Sequence, residues 1–256
     1  MSSKPRIREI LAAVILLAGL VSAPAQPANN HRFAERAQKA FDLAQKNYLA
    51  ATNSAAAACE LARTSFVLAD LATNDTQRAE FARRGIAVCR QWLAHLSNSA
   101  AGHYYLAMNL GKLAEAEAPS LAAYRLVHEV EREFKTAAEL DVHFDHAGPA
   151  RTLGELYFQA PGWPLSVGSK HKAREWLERA AALAPEYPEN QLNLAEAQLK
   201  WHQQKELETT MTNLAAIWPA ARTNFTGTAW EADWLDWTAR RAALQTEFSK
   251  SFRRAP

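Results

Sequence analysis

The sequence predicts an all-α protein, a superhelix of antiparallel helix pairs with a capping helix at each end. Three observations carry this. Strand signals are nearly absent, while Ala, Leu, Glu, Gln and Arg dominate and apolar residues recur at intervals of three and four. An apolar ladder repeats: Ala173, Leu177 and Ala180, followed by Pro185, return as Leu207, Met211 and Leu214, followed by Pro219, an offset of 34 residues. A second mark, leucine followed by a small residue, stands at Leu106-Ala107, Leu153-Gly154 and Leu194-Ala195. One helix pair cannot bury its apolar face alone; stacked pairs bury a continuous core and coil around a concave side.

The chain divides into four stretches. Residues 1–25 read as a secretory signal: Lys4, Arg6 and Arg8 precede an apolar run from Ile10 to Val21, and Ala23 and Ala25 form an A-x-A cleavage mark. The run is too short to span a bilayer, which takes about 20 residues. The alternative is an uncleaved anchor. No later apolar segment is long enough to span, and no cysteine near the cut invites lipidation. The expected location is the periplasm, or outside the cell. Without this leader, the chain's 29 basic and 27 acidic residues fall into balance, so nothing steers it toward nucleic acid or an anionic membrane. Residues 26–53 are expected to form an N-terminal helix, 54–219 the repeats, and 220–256 a C-terminal capping helix and tail. In the last, Trp230, Trp234 and Trp237 share one helix face, which reads as core or subunit contact.

The ladder also appears as Val130, Phe134, Ala137 and Val142, and more weakly as Gly85, Cys89, Trp92 and Ser97. These spacings resemble the tetratricopeptide repeat (TPR), a helix-turn-helix unit of 34 residues. There the small residue lets helix A approach helix B, and proline closes helix B. Cys59 and Cys89 lie on flanking helices at similar distances from the turn near Thr73. One reading is a disulfide; the other is two packed thiols.

The leucine marks are 47 and 41 residues apart, so the second and third units carry insertions. These are placed at Ala114–Ala122 and Gln159–Ser169, on the same side of the superhelix. The latter, "QAPGWPLSVGS", has its Gly-Ser-Lys in the wrong order for a phosphate loop. Either Trp163 packs down and the prolines stiffen a long turn, or Trp163, Pro164 and Leu165 gate an apolar pocket.

Setting the leucine mark at its usual repeat position turns a series of helix-A side chains to the concavity. They are Tyr104 and Met108, then Arg151, Glu155 and Phe158, then Leu192, Glu196 and Lys200. This mixture suits a peptide or a small amphiphile. "DVHFDH" (Asp141 to His146) contains competent metal ligands, but it aligns with the interhelical turn around Pro185, so Phe144 is expected to pack and the polar residues to cap. No metal or cofactor is expected. The eight histidines are scattered, none in an HExxH motif or nucleophile elbow, and no nucleophile–base pair is apparent; the chain is not expected to be an enzyme.

The architecture is also similar to the T component of tripartite ATP-independent periplasmic (TRAP) transporters. It shares the signal, the divergent repeats broken by loops, and Gly168-Ser169 ahead of a Lys172-Ala173 helix start. That resemblance implies a periplasmic helical protein, able to form trimers, that partners a solute-binding protein and has a hydrophobic pore. The functional expectation is an exported, non-catalytic scaffold or adaptor for another periplasmic protein, with an association to TRAP transport as what the resemblance implies. The alternative is a carrier of a small lipophilic ligand in an apolar channel near Trp163.

Overall fold

The computed structural model describes residues 27–253; the proposed signal, residues 1–25, lies outside them. Among the described residues ten α-helices follow one another: α1 (Pro27–Ala50), α2 (Ala55–Asp70), α3 (Asp75–His95), α4 (Ala100–Ala116), α5 (Leu121–Leu140), α6 (Phe144–Gln159), α7 (Lys170–Leu183), α8 (Pro188–Lys200), α9 (Gln204–Asn224) and α10 (Glu231–Arg253). A single 3₁₀ turn, Thr228–Trp230, precedes α10.

Helix starts are written in the sequence. Ser54, Asn74, Ser99, Ser120 and Ser169 each accept a hydrogen bond from the backbone N–H three residues on, which satisfies a donor the first turn leaves orphaned. Pro188 opens α8 at a position where its missing N–H costs nothing.

Each helix packs on the next as far as α9, and α10 meets α9 through Trp234 against Trp218 at 5.2 Å. In addition α2 touches α4, α4 touches α6, α6 touches α8, and α8 touches α10. The even-numbered helices thus form an inner row, and α3, α5, α7 and α9 are the outer members of four antiparallel pairs. This is an all-α, TPR-like superhelix, with α1 and α10 covering its ends. The core is correspondingly a ribbon: one cluster joins α1 to α3, a second α2 to α7, a third α6 to α10. The repeated marks line it. Ala107, Leu153 and Ala195 are fully buried, as are Ala173, Leu177, Ala180 and Leu214. A Cβ on Gly154 would lie 2.7 Å from Leu177 side-chain carbons and 3.0 Å from its backbone nitrogen, so the small residue is what lets α6 and α7 approach.

One marker departs from expectation. Pro185 lies in the turn after α7, but Pro219 lies inside α9, which runs on to Asn224. An interior proline costs a helix about 3 kcal/mol. Here continuation buries Ala221 and Phe225 against the third core cluster, which offsets that loss. The insertions also differ in kind. Ala114–Ala122 is mostly absorbed into longer helices, leaving only residues 117–120 outside them. Residues 160–169 form a true loop, closed where Gly168 N–H donates to Pro161 O (2.9 Å) and Ser169 N–H to Tyr157 O (2.9 Å).

The two ends of the stack meet. Arg32 and Arg36 of α1 donate to the two carboxylate oxygens of Glu231, at the start of α10, at 2.8 and 2.6 Å. Cys59 is half-buried and Cys89 buried, and both are free thiols; burial pushes both thiol pKa values up.

Two glycines test this packing. Gly154→Ala is expected to lower stability by about 1–3 kcal/mol through overpacking, read as a lower urea midpoint at unchanged slope. Gly111→Ala, where a Cβ meets nothing within 4 Å, is expected to raise it by about 0.5–1 kcal/mol.

Candidate functional site

The inner face of α6 and α8, with α10 beside it, carries a polar network on an otherwise apolar stack. It begins at a backbone anomaly. After Phe144, residues Asp145, His146 and Ala147 have φ of 51°, 53° and 62°, a left-handed turn that each L-residue adopts at a cost of about 1–2 kcal/mol. Arg151, buried one turn on, holds it. Its guanidinium donates to Asp145 O (3.2 Å), His146 O (3.1 Å) and the Asp145 carboxylate (3.1 Å). It also donates to Asn190 Oδ1 (3.3 Å), and Asn190 Nδ2 returns to His146 O (3.0 Å). The His146 ring stacks on Tyr187 at 4.6 Å. Tyr104 of α4 donates to the same Asp145 carboxylate at 3.0 Å. "DVHFDH" is therefore a turn, not a ligand set: Asp141 accepts from His143 N–H (2.9 Å) and Phe144 packs edge-on against Tyr104. No group of three or more potential metal ligands occurs among the described residues.

A second buried arginine completes the network. Arg240 of α10 reaches both oxygens of Glu196 (2.8 and 2.7 Å), Asn193 Oδ1 (2.5 Å) and Asp236 (3.3 Å). Burial opposes charge on both guanidiniums, but the surrounding carboxylates outweigh it and raise their pKa values: chiefly Glu189 for Arg151, and Glu196, through its hydrogen bonds and its charge, for Arg240. The arginines form the floor. Asp145, Glu189, Glu196 and Asp236 keep between about a quarter and two fifths of their side-chain surface in contact with solvent, so these carboxylates form the rim. Two further carboxylates lack an arginine partner. Burial raises Glu155 to about 7, with Gln159 donating one hydrogen bond that pulls the other way, and burial raises Asp233 to about 7 with Glu189 adding to it.

Tyr104, Arg151, Glu155 and Glu196 are thus all joined to this face or border it. Others fall elsewhere. Leu192 is fully buried in the third core cluster, so it is a packing residue and is removed from the inner surface. Met108 and Phe158 are half-buried against core clusters, and Lys200 is exposed at the end of α8. Trp163 meets neither expectation: it is 89% exposed, neither packed down nor lining a pocket. Pro164 and Leu165 are exposed beside it. The small cavity nearby, about 190 Å³, is lined instead by Tyr157, Phe158, Ser169, Lys170 and Trp201 among others. The Trp230, Trp234 and Trp237 stripe packs into the third core cluster.

Sequence reasoning missed Asp145, Glu189, Asn190, Asn193, Asp236 and Arg240. A signal existed for some of them: Glu189, Asn193 and Glu196, and Asp236 with Arg240, recur at three and four on helices whose other faces are apolar.

No protein-family model and no curated protein matches the chain. Among solved structures it is similar to the crystal structure of yeast Tom70, at 13% identity and a TM-score of 0.32, over 87% of this chain and 63% of that one. The chain thus spans less than two thirds of that protein's length.

Arg151→Met leaves the left-handed turn and Asp145 without their partner. It is expected to destabilise the protein by about 3–5 kcal/mol in urea unfolding. For Glu155, the folded pKa stands above the unfolded one, so the folded state holds more protons between them. Its contribution to stability therefore falls as pH rises from about 4.3 to about 7. Asp233 contributes a slope of the same sign, so Glu155→Gln is expected to make the downward slope in a pH series of unfolding midpoints shallower, and Glu155→Gln with Asp233→Asn shallower still.

Proposed function

We propose that the chain is an exported, non-catalytic adaptor whose inner face binds a basic segment of another exported protein. The observation that carries this is the division of labour in the network. Two arginines are buried and fully engaged, while the carboxylates around them stay partly exposed to solvent. Such a rim is pre-organised, because its side chains are already held from below, and a partner does not bear the cost of ordering them. Lysine and arginine side chains supply the donors and charge that match it. The stacked helix pairs supply an extended surface rather than a closed pocket, which suits a polypeptide better than a small molecule. A solute-binding protein of a TRAP-type system is one class of partner within this reading. The alternative of a lipophile carrier gains no support from Trp163, which lines no channel.

The test uses synthetic peptides and titration calorimetry. A Lys/Arg-rich peptide is expected to bind the processed protein, to weaken as salt rises, and to weaken further with Glu189→Gln, a substitution that spares both arginines' closest ion pairs. Equal binding of an acidic peptide of the same length, or no binding of either, would refute the reading.

A further inference from the structure

The helix that follows the first insertion meets the second insertion on the surface, beside exposed apolar side chains that the stack does not use. Tyr124, in the first turns of α5, donates its hydroxyl to Pro164 O at 3.3 Å. Leu121 lies one turn before Tyr124 and is 79% exposed; on the other insertion Trp163 is 89% exposed and Leu165 44%. Three large apolar groups from two separate segments are therefore held out at one place. The loop that carries Trp163 is fixed, not slack: Gly168 sits where a Cβ would fall 1.9 Å from Ala160 O, and Leu165 N–H donates to Gly162 O at 3.0 Å.

The unpaired charge around this patch is positive. No Asp or Glu occurs from Ala118 to His128 or from Leu156 to Arg174, while Arg125, Lys170, His171, Lys172 and Arg174 do. Arg125 makes no ion pair among the described residues, and Lys170 lies over the Trp201 ring at 5.5 Å without a carboxylate. The nearest carboxylates are occupied: Glu117 binds Arg83 at 2.9 Å, Glu129 binds Arg90 at 3.0 Å, and Glu131 binds Lys135 at 2.7 Å and Lys172 at 3.7 Å, so Lys172 is compensated while Arg125 and Lys170 are not.

We propose that this patch docks on an anionic lipid bilayer surface, with Trp163, Leu165 and Leu121 entering the interfacial region and Arg125 and Lys170 lying against the headgroups. Tryptophan's amphipathic ring is suited to headgroup depth, apolar side chains gain by burial at the acyl boundary, and cations are drawn to anionic headgroups within a Debye length. The feature that selects a bilayer over a protein partner is the combination of aliphatic and indole tips with the uncompensated cations Arg125 and Lys170, while each nearby carboxylate is already paired. The inner face, by contrast, is rimmed with carboxylates, so the protein has two surfaces of opposite character. This surface does not depend on the adaptor reading of the inner face.

The test is co-sedimentation of the processed protein, its N-terminus read by mass spectrometry, with vesicles of phosphatidylcholine plus phosphatidylglycerol and of phosphatidylcholine alone. Binding is expected to the anionic vesicles and to weaken at high salt. Trp163→Ala is expected to lower the partition coefficient about tenfold, Leu121→Ser to act in the same direction, and Arg125→Gln to lower it about fivefold. All three residues are exposed, so the circular dichroism and melting of the variants should match the parent. The proposal is overturned if the parent does not sediment with anionic vesicles, if it binds neutral vesicles equally, or if Trp163→Ala binds as the parent does. Self-association of the parent that Trp163→Ala abolishes would overturn it too, by assigning the patch to a second copy.

Discussion

The buried guanidinium of Arg151 is the constraint around which the inner row is arranged. At the start of α6, just after Phe144, the chain passes through three consecutive left-handed residues, none of them glycine. That conformation is costly and persists only where its surroundings over-determine it. Arg151 supplies the determination, because one planar group donates to two carbonyls and a carboxylate of the turn and to Asn190 on the next inner helix. A lysine carries no fork of fixed donors and could not take its place. Through Tyr104, the same carboxylate ties α4 into the arrangement. Three successive inner helices are thereby indexed to one another by polar contacts of defined direction, where apolar packing alone would permit sliding.

Much of the architecture was legible because it rests on periodic packing. The ladder from Ala173 to Ala180 and its copy from Leu207 to Leu214 mark buried positions, and Leu153-Gly154 marks a close approach that the Leu177 contact makes necessary. Boundaries that depend on competition between local and tertiary terms were not legible. Pro219 reads as a terminator on local grounds, and only the burial of Ala221 and Phe225 beyond it reveals why α9 continues.

The inner face was legible in part. Tyr104, Arg151, Glu155 and Glu196 follow from the repeat register, since that register fixes which helical positions turn inward. Leu192 shares the register and fails, because α6 lies close enough to cover it with Ala147 and Ala150. Asp145 was hidden by its neighbours, in a segment whose histidines and aspartates suggest metal chemistry but whose backbone turns left-handed. Trp163 illustrates the opposite limit: its size argues for burial, and only the geometry of the loop shows that it is held outward.

The junction of Arg32 and Arg36 with Glu231 changes the mechanics of the whole assembly. An open array of repeats can loosen from either extremity without the other sensing it. Here two solvent-exposed ion pairs to one carboxylate join the extremities. Such pairs contribute little to stability, but they make fraying at α1 remove a contact from the start of α10, so the two ends are no longer independent.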